Sequence, residues 1–475
     1  MGRGNLELWN EYGDYLIPIM PFLDSVIVRS EGSYLIDAEG NRILDLASGQ
    51  FCTVLGHGHP EFTAALVDEL RSNLHTGSQY VTEGVLKTAK EVADRAPGDL
   101  NKVTLLSTGS EANEFALRIA KACTNRSLVA GFDRGYYGIS LATRNLSRIS
   151  EGKIDFTPTT PGAYLIAPNC ARCPIALRYP DCELSCLDLS IRLAGSSLEQ
   201  CAAIIVETIV SAGGMIYPTK DYLHRLRSFA SEIGAMFIVD EAQTGFGRCG
   251  RWFDCENLEL QPDILVFSKT SGNGYPSAGV VISDEVNDRL LERGFNHLSS
   301  HQNDPLTAAA VSAVIRVIDS EGLLARSAER GEYFLDRLRE LESASPHLTA
   351  TRGRGLMIAF ELVQDKESRV PYADALVPFV LACKARGVHV TYTYYEGAVR
   401  VIPPLTITQQ EIDFAIDVFG EVLRDFAQGK VDKAEYQQKN HVIARVNRGR
   451  GVKRLINRLW ETSPEHWYRK IKQRI

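Results

Sequence analysis

The chain has 475 residues, 44% hydrophobic and 23% charged, values of an ordinary globular protein that exclude extended disorder and low complexity. Its net charge is −7, unevenly placed. Residues 430–475 carry 13 Lys/Arg against 4 Asp/Glu, so the acidic body repels polyanions while the end of the chain attracts them. No apolar run approaches the ~18 residues of a membrane span. Residues 1–6 show neither an apolar signal core nor a myristoylation pattern. A cytoplasmic enzyme with no membrane or nucleic-acid partner is the expectation, since no recognition motif for nucleic acid is visible.

In chain order, residues 33–41 predict a β-hairpin that turns at Glu39-Gly40-Asn41. Residues 103–106 form a short apolar run, then Ser107-Thr108-Gly109-Ser110, then helical spacing of Ala, Leu and Ile over 111–122. Three further apolar runs, 201–206, 236–239 and 264–267, each end at a charged residue or next to one: Glu207, Asp240 and Lys269. Strands apolar on both faces, alternating with amphipathic helices such as 222–233, indicate a buried and mostly parallel sheet covered by helices. Ligands of such sheets collect at the carboxyl ends of the strands. Beyond a long amphipathic helix over 322–341, segments 356–362, 389–392 and 399–402 read as strands of a smaller α+β domain.

Lys269 stands among small residues, Ser268, Thr270 and Gly272-Asn273-Gly274, which suggests a flexible setting. Lysine amines form Schiff bases with aldehydes, and pyridoxal phosphate is the commonest aldehyde cofactor. It requires a carboxylate for its ring nitrogen, a phosphate cradle and an aromatic cover. Asp240 supplies the first, the 107–110 turn before a helix supplies the second, and Gly135-Tyr136-Tyr137-Gly138 supplies the third.

Ser107-Thr108-Gly109-Ser110-Glu111-Ala112-Asn113-Glu114, Asp240-Glu241-Ala242-Gln243-Thr244-Gly245-Phe246-Gly247-Arg248 and Ser268-Lys269-Thr270 together resemble the class III aminotransferases over about residues 15–425. That resemblance implies pyridoxal-phosphate enzymes of fold type I, with a seven-stranded, mostly parallel sheet and a smaller α+β domain. It implies that Lys269 attaches the cofactor, Asp240 contacts the ring nitrogen and Gln243 the ring hydroxyl. Thr108, Gly109 and Ser110 bind the phosphate, Tyr136 stacks on the ring, and Glu207 completes the cofactor set. Tyr137 stands where His or Trp is common. Family members are homodimers, and Ser300 matches a residue reaching the partner's phosphate.

Within the family the chain is most similar to the 2,2-dialkylglycine decarboxylases, on Leu46–Gln50, Val54–Pro60, Ser211–Gly214, His301–Leu306 and Arg400–Thr406. This implies decarboxylation of a dialkylglycine or small amino acid, followed by amino transfer to a 2-oxo acid. Gln50 then holds the substrate carboxylate perpendicular to the cofactor and Arg400 holds it in plane. Gln50 also reads as a turn residue bonding backbone. Ala212 and Tyr136 depart from the decarboxylase pattern and point to a shifted substrate. An ordinary aminotransferase, a phospholyase-type relative and an inactive binding protein of the same fold remain as alternatives. Ser78, Ser300 and Asp304 match ligands of an alkali cation.

Ten cysteines include Cys170, Cys173, Cys182 and Cys186 within 17 residues. The spacing C-x2-C-x8-C-x3-C suits four-thiolate zinc, and also buried thiols or reversible disulfides. The expected organisation is an N-terminal part of the small domain over 1–60, a large domain over 61–325 with a Cys-rich insert at 168–187, a C-terminal small domain over 326–428, and a basic extension over 429–475. Within the extension, 445–459 reads as a basic amphipathic helix or a solvated appendage.

Overall fold

The computed structural model describes residues 3–17, 22–147, 162–393 and 397–431. The Glu39-Gly40-Asn41 turn joins β2 (Tyr34–Asp37) to β3 (Arg42–Asp45), and β1 (Ile27–Glu31) pairs antiparallel with β2. The amphipathic stretch expected at 445–459 lies outside the described residues.

The main sheet contains β4 (Leu100–Leu106), β5 (Leu128–Phe132), β6 (Gly162–Leu165), β7 (Cys201–Glu207), β8 (Met236–Glu241), β9 (Ile264–Ser268) and β10 (Ala278–Ser283). Their order is β4-β10-β9-β8-β7-β5-β6. The run from β9 to β6 is parallel throughout, and β10 is antiparallel to both neighbours. Every residue of β7, β8 and β9 is buried, because side chains alternate between two covered faces. Ile204, Val206, Phe237, Val239, Leu265 and Phe267 enter one core. Ala203, Ile205, Ile238 and Val266 enter the other, against Ala112, Phe115, Ala116 and Ile119 of the helix Gly109–Thr124. Truncating one such phenylalanine costs about 3–5 kcal/mol, so the strand ends stand on a rigid base.

The remaining strands are β11 (Leu348–Arg354), β12 (Met357–Leu362), β13 (Val388–His389), β14 (Thr391–Tyr392) and β15 (Ala398–Val401). They form two four-stranded sheets, β1-β2-β3-β13 and β11-β12-β15-β14. Segment 389–392, expected as one strand, is split. Buried Val390 marks a corner where the chain leaves β3 and joins β15. The expected long helix runs Leu323–Ala344. Among the described residues, no helix is long and apolar enough to cross a membrane. The architecture is α/β, with a large, mostly parallel seven-stranded sheet and a smaller part built on the two four-stranded sheets.

Candidate active site

Glu207 and Asp240 face each other in register at the ends of β7 and β8, and Lys269 follows β9, the next strand over. Both carboxylates are buried, at 6% and 5% exposure. Burial at a sheet end is costly for a charge and adds nothing to the core. Burial raises the Asp240 carboxyl above its ordinary range, opposed by the Ala242 N–H, the Lys269 charge and Asn113. Asn113 Nδ2 donates to Asp240 Oδ2 at 2.7 Å, and the Ala242 N–H to Oδ1 at 2.9 Å. The Glu207 carboxyl is pushed up to about 8, by burial first and the Asp240 charge second. It accepts the N–H groups of Tyr136 at 2.9 Å and Ser211 at 3.2 Å.

The setting of Lys269 is not the flexible one its small neighbours suggest. Lys269 has φ 43°, and the turn after it is buried and pinned by hydroxyls. Ser268 Oγ donates to the Ser277 carbonyl, Thr270 Oγ1 to the Gly245 carbonyl, and Ser271 and Ser277 share a hydrogen bond. Small residues serve here because their hydroxyls satisfy buried backbone.

Thr108 caps the helix Gly109–Thr124, its hydroxyl accepting from the Glu111 N–H. The first N–H groups of a helix have no partner within it, so Gly109 and Ser110 offer donors at its positive end. A Cβ on Gly109 would lie 3.3 Å from Ser268 Cβ, which places this terminus against the end of β9. Ser110 Oγ accepts the Ile139 N–H at 3.1 Å. Gly138 has φ +138°, and a Cβ there would meet Ser110 Oγ at 2.6 Å, so the 135–138 loop passes the helix only with glycine. The two tyrosines of that loop divide. Tyr136 is 37% exposed, whereas Tyr137 is fully buried, its hydroxyl bonded to the Phe132 N–H and the Ile205 carbonyl.

Ser211 Oγ donates to Gln243 Oε1 at 2.9 Å. With that carbonyl engaged, the amide NH2 is the donor Gln243 has to offer a ligand. Gln50 lies in a turn in which Ser48, Gly49, Gln50 and Phe51 all have positive φ. Asp45 holds this costly geometry by accepting from the N–H groups of Ala47 and Gly49 and from His57 Nε2. Gln50 is exposed. Phe51 is buried, and the Arg400 guanidinium lies 4.7 Å from its ring centroid. Asn273 ties this segment to the Lys269 turn through the Leu55 N–H and the Gly56 carbonyl. The Cys52 thiol is raised by burial and lowered by the nearby Lys269 charge. Gln50, Arg400 and Lys269 are thus gathered in one neighbourhood.

Sequence reasoning assigned no role to Asn113, Asp45 or Ser211. Asn113 stands within the quoted 107–114 motif, yet its partner Asp240 is 127 residues away. The Asp45–His57 contact had no visible signal.

Ser300 is exposed and Ser78 half-buried, while the Asp304 carboxylate accepts from His75 Nδ1 at 3.0 Å, His301 Nδ1 at 2.7 Å and the Leu306 N–H. Burial raises the Asp304 carboxyl, but the two histidine contacts outweigh this and hold it low. Asp304, the acid expected to ligate an alkali ion, thus meets two histidines here. Among the described residues, His75, His301 and Asp304 form the group whose potential metal ligands lie within 4.8 Å of one another. No three sulfurs of Cys170, Cys173, Cys182 and Cys186 lie that close, though all four residues line one small cavity of about 20 Å³.

The profile of the family described as aminotransferase class-III matches residues 20–423. An uncharacterized aminotransferase of Schizosaccharomyces pombe is 34% identical over 88% of this chain and 95% of its own length. The 5-aminovalerate aminotransferase of Pseudomonas aeruginosa is 32% identical over 85% and 94%. Among solved structures, a thermostable (S)-enantioselective omega-transaminase from Thermomicrobium roseum superposes with a TM-score of 0.81 at 28% identity, covering 90% of this chain and 99% of that one. On this breadth of likeness, and with the same sheet beneath its strand-end lysine and acids, the chain belongs to the class III aminotransferases, enzymes that depend on pyridoxal phosphate.

Proposed function

We propose that this enzyme moves an amino group from a carboxylate-bearing primary amine to a 2-oxo acid without releasing CO2. The observation that carries this is Arg400, buried at 7% exposure on β15 and laid against Phe51, beside an exposed Gln50. A guanidinium fixed by burial can clamp a carboxylate in one orientation. An exposed amide on a turn has no comparable hold on a second. The aminotransferase names of the relatives support amino transfer as well, and none of those reported above carries a decarboxylase name. The dialkylglycine decarboxylation implied by the sequence motifs therefore becomes the second reading. The closeness of Gln50 to the Phe51–Arg400 pair supports it.

The donor set fits pyridoxal phosphate. Two buried carboxylates with raised pKa values stand together at the strand ends, a pairing that a cationic ring nitrogen would relieve. When bound, the cofactor supplies an electron-withdrawing ring that stabilises charge at the substrate Cα. Asp240, steadied by Asn113, would hold the proton on the ring nitrogen. Gln243 would donate to the ring hydroxyl, Thr108, Gly109 and Ser110 would present donors to the phosphate, and Tyr136 would cover one face. Glu207 fixes the Tyr136 backbone and so the cover. Lys269 would attach the cofactor and move the proton at the substrate Cα.

Ser300 belongs to an exposed loop beside Leu298, 79% exposed, and Ile139 and Leu141 are also exposed next to the Gly138 loop. Apolar side chains bordering a site suit an interface, so a homodimer with Ser300 serving the partner's phosphate is part of the proposal. Sedimentation of a fully active monomer would refute that part. The reaction itself is tested by mixing holoenzyme with 15N-labelled 5-aminovalerate and either pyruvate or 2-oxoglutarate, or with 15N-labelled alanine and 2-oxoglutarate. The label should appear in the amino acid made from the 2-oxo acid. Failure of every pairing would overturn the reading.

A further inference from the structure

Between β6 and β7 the chain makes a detour that the amino-transfer site does not use. Cys170 opens a short 3-10 turn, Cys170–Arg172, capped by Asn169, and Cys173 follows it. Cys182 lies in the next turn, and Cys186 is the second residue of the helix Ser185–Ala194. All four are free thiols, and all four line the same cavity of about 20 Å³. That is room for one water-sized occupant. No charged side chain lines this cavity; the rest of its wall is largely apolar, with residues such as Ile175 and Leu184.

The geometry points to a structural zinc site formed by Cys170, Cys173, Cys182 and Cys186. Three observations meet there. The C-x2-C-x8-C-x3-C spacing brings two short-spaced pairs to one cavity of single-ion size. The donor set is sulfur alone, which selects a soft or borderline metal over magnesium or calcium. Cys186 sits in the first turn of the helix Ser185–Ala194, which fixes its backbone at the cavity wall. Zinc binding releases the thiol protons to solvent and forms four Zn–S bonds of ~2.3 Å. A tetrahedron of such bonds requires sulfurs about 3.8 Å apart, so binding would draw the four thiols closer together. The detour is tied down on its far side as well. Arg172 pairs with buried Glu361 of β12 at 2.7 Å, and Arg352 holds the same carboxylate at 2.9 Å. The ion would therefore fix a turn whose arginine grips the strand next to β15.

The test is metal analysis of the full chain purified without chelator, together with thiol titration. The expected result is about one zinc per chain in the wild type, as one four-thiolate site holds. Zinc should be lost in Cys173→Ser and Cys182→Ser, and kept in Cys123→Ser and His75→Ala. Should the cysteine variants fail to fold, stripping zinc from the native wild type must expose four newly titratable thiols. A zinc-free wild type would overturn the proposal, and so would iron in place of zinc or a disulfide among the four cysteines. Zinc that disappears in His75→Ala would assign the metal to the His75–His301–Asp304 group and overturn it equally.

Discussion

The strand-end acids and lysine are held very differently from the residues proposed to meet the substrate. Glu207 and Asp240 lie at the ends of two parallel strands and Lys269 follows a third, all buried along their whole length, and each carboxylate oxygen of Asp240 has an assigned donor. Gln50 and Arg400 come from opposite ends of the chain. Gln50 rides a left-handed turn that depends on Asp45, and Arg400 rests on the ring of Phe51. The contrast teaches where specificity can change. Packing leaves the cofactor side no freedom, whereas an exposed turn residue can be exchanged without disturbing a core.

The largest effect should come from Lys269→Ala. The visible absorbance of the bound cofactor should vanish, and activity should fall by at least roughly 10²–10⁴-fold, the share of a positioned proton-transfer group. Asp240→Asn removes the buried charge and leaves a single acceptor for two donors, the Asn113 amide and the Ala242 N–H. Steady-state rates should drop by about 10²–10³-fold, as for loss of a preorganised electrostatic group. Arg400→Lys exchanges a forked donor for a point charge. KM for the carboxylate-bearing donor should rise about 10–100-fold, equivalent to ~1.5–3 kcal/mol for a hydrogen bond to a charged group.

Glu207→Gln sharpens the comparison from the side of stability. The Glu207 carboxyl moves from an ordinary 4.5 to about 8 on folding, so between those values the native state binds a proton that the unfolded state has released. Stability from this group is therefore greatest below pH 4.5 and is lost as pH rises toward about 8. Urea unfolding of cofactor-free protein should show that decline, and Glu207→Gln should flatten it. An unchanged slope would mean the Glu207 carboxyl is not raised on folding. The smallest effect belongs to Gln50→Ala, where amino-transfer rates should change by less than about threefold, as for an exposed residue outside a defined network.

What could be read from sequence follows the same division. An apolar run ended by one charged residue announces a buried strand with a charged tip, so the places of Glu207, Asp240 and Lys269 were legible, and so was the Thr108 cap before its helix. Asn113 and Asp45 were not, because their roles depend on partners that only the fold brings near. Nor did the sequence warn of the left-handed run at 48–51, since only Gly49 there is a residue that favours positive φ. The split of 389–392 escaped notice for a related reason: a buried valine looks the same inside one strand as at a corner between two.

Amino transfer without decarboxylation is tested most directly by counting CO2 and transferred amino groups in one vessel. Holoenzyme is supplied with pyruvate and with either 2-aminoisobutyrate, which has no α-proton, or a donor that has one and is processed. The account predicts new alanine from the second donor with no matching CO2, and neither product from 2-aminoisobutyrate. One CO2 released for each alanine formed from 2-aminoisobutyrate, with the release suppressed in Gln50→Ala, would contradict it and restore Gln50 as the residue that directs the reaction.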